Sequence, residues 1–160
     1  MFTRRTLFVA VTVAALAGCA SPSRPVPVAD AIAAQAELTT LNSLIVKAGL
    51  SDTLSGAGPF TVFGPSNQAF AKVPAKTMEA LASHPAKLKE VLTYHVLPGK
   101  FIAAEVKNGN HKTLNGASVA LSKAGDFLTV EDALVQTPHV AASNGVVYIV
   151  DTVLIPPAGK

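Results

Sequence analysis

Apolar residues in the first half of the chain recur at helical spacing. Leu41, Leu44, Ile45 and Ala48 fall at i, i+3, i+4 and i+7, which predicts one buried stripe on a helix. Gly49 stands where a left-handed residue ends such a helix, with Ile45 and Leu50 as the hydrophobic pair that accompanies that stop. Pro59 to Phe63 then alternates as a strand, Phe60 and Val62 on one face, Thr61 and Phe63 on the other. Gly64-Pro65 reads as its end. Ser66 suits an N-cap, and Ala69 and Phe70 open the buried face of the next helix. Two short helices follow. Ala75 to Ala82 buries Met78 and Leu81; Pro85 to Leu92 has Pro at N1 and buries Leu88, Val91 and Leu92.

After Tyr94 the pattern changes to strands. Asn108-Gly109, Asn115-Gly116 and Asn144-Gly145 are turn signals. Short apolar runs lie between and beside them: Ser118 to Ser122, Asp126 to Val130, Ala133 to Val135, and Val146 to Val150. The last is apolar at both parities, as a central strand covered on both faces must be. Thr152 to Ile155 reads as a final edge strand closed by Pro156-Pro157. Helices first and sheet later is an α+β pattern, and there is no internal repeat.

Composition adds little except at the N-terminus. The chain has 160 residues, 49% of them hydrophobic and 14% charged, enough for one domain with its own core. Arg4 and Arg5 precede an apolar stretch from Leu7 to Ala17, too short to cross a bilayer as a helix. Leu16-Ala17-Gly18-Cys19 follows, with small residues before the chain's only cysteine. Residues 1–18 read as a signal peptide, and this ending resembles the bacterial lipoprotein box. The resemblance implies cleavage before Cys19, acylation of Cys19 and attachment to the membrane through it. Ala20 rather than Asp after the cysteine favours the outer membrane, on its periplasmic or surface face. Thr3 to Phe8 echoes a twin-arginine signal, so the export route is open. Residues 19–28, with Pro22, Pro25 and Pro27, read as an extended tether.

Signal removal takes Arg4 and Arg5 from the 13 basic residues and leaves a net charge of +1 against 10 acidic ones. The sequence pI near 9.1 is therefore partly a property of the signal, and no nucleic-acid partner is implied. With Cys19 alone the mature chain forms no internal disulfide.

Three segments resemble the fasciclin-like domain, a family of extracellular adhesion and interaction modules. They are Gly58-Pro-Phe-Thr-Val-Phe-Gly-Pro-Ser-Asn-Gln-Ala-Phe70, Leu92-Thr-Tyr-His-Val-Leu-Pro-Gly99, and Ala142-Ser-Asn-Gly-Val-Val-Tyr-Ile-Val-Asp-Thr-Val-Leu-Ile-Pro156. The resemblance covers about Val28 to Pro157, and the domain is expected over residues 29–157. It implies an α+β wedge: a β-sandwich of about seven strands with short helices packed along one edge. Its signature positions are Thr61, Phe63, Pro65, Ser66, Asn67, Phe70, Asn144, Gly145 and Asp151. Gln68 stands where an acid is usual, which forgoes a helix-dipole contact of about 0.3–1 kcal/mol. Tyr148 stands where His is common. His139-Val140 stands where animal adhesion relatives often carry an Asp-Ile pair linked to receptor binding, so the resemblance stops short of integrin-type recognition.

Little else looks like chemistry. His84, His95, His111 and His139 show no ligand spacing, so neither metal nor other cofactor is expected. There is no Gly-x-Ser-x-Gly elbow and no P-loop. Glu131-Asp132 reads as a polar turn rather than an acid/base pair. Lys72, Lys76, Lys87 and Lys89 suit a solvated helix face. Tyr94-His95 is the polar pair to weigh: either a structural histidine beside a packed tyrosine, or a recognition edge for a protein or glycan. If His95 is buried and neutral, acid destabilises the domain, because the unfolded chain binds the extra proton.

The expectation is a non-enzymatic, exported, lipid-anchored and monomeric binding module, for adhesion or for interaction with an unnamed protein or polysaccharide. A carrier of a small apolar ligand and an envelope-associated hydrolase are the alternatives. A convergence of His95 with a carboxylate and a Ser would favour the hydrolase.

Overall fold

The computed structural model describes residues 26–156; the expected signal peptide, Cys19 and the expected tether as far as residue 25 lie outside them. The fold begins earlier than residue 29. Val28 opens helix α1 (Val28–Ala33) and is fully buried, so it belongs to the core and not to the tether. A 3-10 turn at Ala36–Leu38 leads into α2 (Thr39–Lys47), followed by α3 (Ser51–Ser55). The α2 stop is the one its sequence predicts: Gly49 has φ +67°, its amide bonds Val46 O, and the Leu50 amide bonds Ile45 O, both at 3.1 Å.

Strand β1 (Phe60–Pro65) is followed by α4 (Asn67–Lys72), α5 (Ala75–Ser83) and α6 (Pro85–Tyr94). Ser66 caps α4, its Oγ accepting from the Ala69 amide at 3.2 Å. The α5 and α6 faces bury Leu81, Leu88, Val91 and Leu92, while Met78 is half-buried at the margin. Six strands complete the chain: β2 (Val96–Pro98), β3 (Gly109–Lys112), β4 (Ser118–Ala124), β5 (Phe127–Val130), β6 (Ala133–Ala142) and β7 (Gly145–Val150).

The seven strands form one hydrogen-bonded order, β2-β1-β7-β6-β5-β4-β3. β1 and β7 are parallel; the other pairs are antiparallel. β6 belongs to both halves, pairing with β5 at Ala133 and Leu134 and with β7 through Ala142, with an interrupted register between Gln136 and Val140. That break turns the sheet back on itself. Its two ends approach where the Leu114 amide donates to Val96 O at 2.8 Å, so the sheet is nearly closed.

Two cores result. The helices pack on one face of β1 and β7, burying Ile32, Leu41, Val62, Leu88 and Val147 among others. The folded sheet encloses the second, around Phe63, Leu121, Val130, Tyr148 and Val150. β7 is therefore covered on both faces, which is why it is apolar at both parities. The fold is α+β, a wrapped seven-stranded sheet with short helices along one side.

Two further expectations need correction. Gly64-Pro65 does not end β1: Gly64 pairs with Ile149 and Pro65 with Val150, and the Ser66 amide still bonds Val150 O. Proline is tolerated there because it is the last residue of the strand. Residues 152–155 form no strand. Val153 and Leu154 turn into the two cores instead, and the Leu154 amide donates to a side chain, His95.

Candidate functional site

The signature residues are fasteners that hold loops and helix ends to the sheet. Asn67 Oδ1 accepts from the Thr40 amide at 3.0 Å and from Thr39 Oγ1 at 3.2 Å, while its Nδ2 donates to Ala36 O at 3.0 Å. It thus caps the start of α2, which has no side-chain cap of its own. Asn144 Oδ1 accepts from the Val28 amide at the start of α1, and its Nδ2 donates to Leu54 O and Gly56 O at the end of α3. Thr61 Oγ1 donates to Gly99 O and accepts from the Phe101 amide, pinning the turn after β2. Asp151 Oδ1 accepts from the Leu134 amide at 2.9 Å and prolongs the β6–β7 contact by one residue. Phe63 and Phe70 are core residues. None of these positions is free to meet a ligand with the atoms that make these contacts.

Tyr94 and His95 point apart. His95 is 2% exposed, and both ring nitrogens are used inside: Nδ1 lies 2.7 Å from Val91 O, and Nε2 accepts from the Leu154 amide at 2.9 Å. Burial lowers its pKa to about 4, partly offset by the Val91 carbonyl. His95 therefore does not form the exposed half of a recognition edge. It meets neither a Ser hydroxyl nor a carboxylate in its hydrogen bonds, so the hydrolase arrangement does not assemble on it.

Tyr94 is as deeply buried, but it lines a surface cleft of about 420 Å³ together with Ser118 and Glu131. The hydroxyl donates to Ser118 O at 3.3 Å and stands 3.5 Å from Glu131 Oε1. Burial, and then the Glu131 carboxylate, raise the Tyr94 pKa, so it stays a neutral donor. Glu131 sits at φ +53° in the tight β5–β6 turn. Its amide bonds Ala120 O and its carboxylate accepts the Ala120 amide at 2.8 Å, a reciprocal clasp on β4. Asp132, Thr152 and Ile155 complete the rim, and Ile155 is 60% exposed. Sequence reasoning found Tyr94 and the polar turn. It missed that they meet, because 37 residues separate Tyr94 from Glu131.

A second cleft of about 330 Å³ lies over Ser66, Asn67, Gln68 and Gln136. Both clefts are at the Val150 end of β7. The chain enters the fold at the other end, where the Ser143 amide bonds Val26 O. Lys76, Lys87 and Lys89 are exposed on the helices; Lys72 reaches Asp151 at 3.9 Å, a solvent-exposed pair worth little. Among the described residues no group of three His, Cys, Asp or Glu side chains is arranged to hold a metal ion, and no helix is long and apolar enough to cross a membrane.

A nearly closed sheet with helices along one side and asparagine fasteners at both of its ends agrees with the fasciclin resemblance. The fasciclin-domain family model matches residues 36–156, and the chain belongs to that family. It is 39% identical over 132 residues to protein sll1483 of Synechocystis, covering 81% of this chain and 73% of that one. It is 41% identical over 137 residues to the immunogenic protein MPB70 of Mycobacterium bovis, covering 82% and 70%. The cell surface glycolipoprotein MPB83 of the same species is 40% identical over 137 residues, of which this chain spans 82% and that protein 61%. The solved FAS1 domain pair of the insect cell adhesion molecule Fasciclin I superposes with a TM-score of 0.63 at 20% identity. The match covers 78% of this chain and 47% of that one, and it establishes the fold.

Proposed function

We propose that this protein is an exported, lipid-anchored interaction module that uses the cleft over Tyr94 to hold a protein or polysaccharide at the cell surface. The observation that carries the reading is the opposition of tether and cleft. The chain enters beside Ser143, while the cleft opens beyond Val150, six residues along β7 and therefore about 17 Å or more away. A domain held through Cys19 would present the cleft away from the membrane. The relatives support the setting: one is a cell surface glycolipoprotein, and the solved fold neighbour comes from a cell adhesion molecule. The cleft is small, so a single copy binds weakly, and clustering on a membrane supplies the avidity.

The test has two arms. Mass spectrometry of the membrane-extracted protein should find Cys19 acylated, and Cys19→Ser should release the protein from the membrane. Protein on liposomes should bind intact cells or extracted surface polysaccharide saturably and with tolerance of salt, and Ile155→Asp should weaken that binding without changing stability. Loss of binding on raising salt would move the contact to the exposed lysines. No binding to either target would overturn the adhesion reading.

A further inference from the structure

The segment after β7 has an unusual attachment. Residues 152–155 form one wall of the Tyr94 cleft, yet they belong to no strand. Val153 and Leu154 are buried, and the backbone of the segment is fastened to the body of the domain by the Leu154 amide on His95 Nε2. The partner could have been a backbone carbonyl, which does not titrate. Here it is the one side chain whose ordinary pKa lies near neutrality.

The geometry fixes the protonation state. Val91 O only accepts, so Nδ1 carries the proton and donates to it. The Leu154 amide only donates, so Nε2 must present its lone pair. A second proton on Nε2 would face an N–H with an N–H in a site closed to water. One of the two must then leave. α6 and the start of β2 hold His95 in place, and the Phe63 amide bonds its carbonyl; the 152–155 segment has no ladder. The segment is the part that gives way.

No charged neighbour offsets this. On α6, Lys89 and Glu90 are exposed, and Tyr94 turns toward Ser118 and Glu131. β1 carries no titratable residue. Asp151, which leads into the segment, is engaged by the Leu134 amide, Thr152 Oγ1 and Lys72. The causes acting on the His95 ring are burial and the Val91 carbonyl.

We propose that His95 is an acid-sensitive latch: neutral, it holds residues 152–155 as a wall of the Tyr94 cleft, and protonated, it lets that wall go while the sheet stays folded. The control of binding that this implies rests on the reading of the cleft given above. The latch itself does not, so it is tested without a ligand.

The experiment is hydrogen exchange of the full chain from pH 7.5 to pH 4.5, with rates corrected for intrinsic chemistry, beside a titration of the His95 ring by nuclear magnetic resonance. With an unfolded-like pKa near 6.5 in the open state, opening becomes about 20- to 30-fold easier between pH 7 and pH 5. Protection of the Leu154 amide should fall by that factor and stay well below that of the β7 amides at every pH, because β7 opens only with the whole domain. His95→Gln offers an amide oxygen to Leu154 without a titrating group, and its Leu154 protection should not vary with pH. Three results overturn the latch: Leu154 protected to the same level as β7, a Leu154 amide indifferent to pH, or the wild-type dependence persisting in His95→Gln. If His95→Gln does not fold, the wild-type comparison of Leu154 with β7 decides alone. A latch that works in a protein with no binding to cells would leave the adhesion reading at fault; binding unaffected by acid, with no selective opening, would leave the latch at fault.

Discussion

The Asn144 side chain accepts the backbone amide of Val28 at 2.7 Å, across 116 positions of sequence. The same side chain donates at 2.8 Å to Leu54 O and to Gly56 O. One amide group therefore joins the first amide of α1, the last turn of α3 and the β6–β7 turn. Each of those backbone groups would otherwise be an orphan at a helix end.

Asn144→Ala removes all three bonds and leaves a half-buried donor and two acceptors without partners. The expected loss is about 2–4 kcal/mol. Urea denaturation of variant and wild type measures it. A change below about 0.5 kcal/mol, the range of an ordinary surface substitution, would refute the fastening role.

Gly145 lies next in the chain, and its requirement differs from that of a turn glycine. Its φ is not positive. A Cβ at Gly145 would instead collide with the Phe60 carbonyl, and one at Gly58 with the Asn144 carbonyl. Backbone cannot yield as a side-chain tip does, because the β1–β7 pairing starts there. Gly145→Ala should cost about 1–3 kcal/mol or more, whereas Gly125→Ala, in open space at φ +61°, should cost only its backbone strain. Thermal melts of the two variants check the order.

Tyr148 occupies a position where the family resemblance led one to expect histidine. Its hydroxyl accepts from the Ala103 amide at 2.7 Å and donates to Phe101 O at 3.1 Å, while its ring stacks on Phe63 at 5.6 Å. Tyr148→Phe keeps the stack and loses the clip. The domain should lose about 1–3 kcal/mol, with amide exchange at Ala103 accelerated beyond the factor that this global loss imposes on β7. Uniform destabilisation without a local change at Ala103 would contradict this assignment.

Global stability should fall in acid through His95. The folded pKa is lowered to about 4 by burial, against about 6.5 in the unfolded chain. Between those values the unfolded state binds the proton and the folded state does not. The contribution is therefore intact above pH 6.5 and lost progressively as pH falls toward 4, by about 3 kcal/mol in all. Urea midpoints from pH 7.5 to 4 read the slope, and His95→Gln should flatten this part of it. An equal slope in the variant would assign the acid sensitivity elsewhere.

Much of the fold is legible along the chain because its causes are local. The α2 stop at Gly49, the Ser66 cap and the doubly apolar β7 each follow from spacing or from the chemistry of one residue. The two misread stretches had causes that were not local. Pro65 sits within β1 because β7 runs parallel beside it, and residues 152–155 leave the sheet because two cores and His95 take their side chains and amide.

The candidate site shows the same division. Tyr94 and the Glu131-Asp132 turn could each be named from the sequence, but not their meeting under Ile155, which depends on the β4–β5–β6 register. Nor could the sequence say that Tyr94 and His95, adjacent in the chain, face different partners: the first looks into a cleft, the second into a dry contact with Leu154.

The sequence by itself determined the family, the α+β order of elements and the residues that form the cores, because periodicity, capping and turn chemistry act over a few positions. The tertiary structure alone decided what the polar signature residues are for. Asn67, Asn144, Asp151 and His95 bind backbone groups between 17 and 116 positions away, and a polar side chain carries no mark of its partner until packing has removed the water around it.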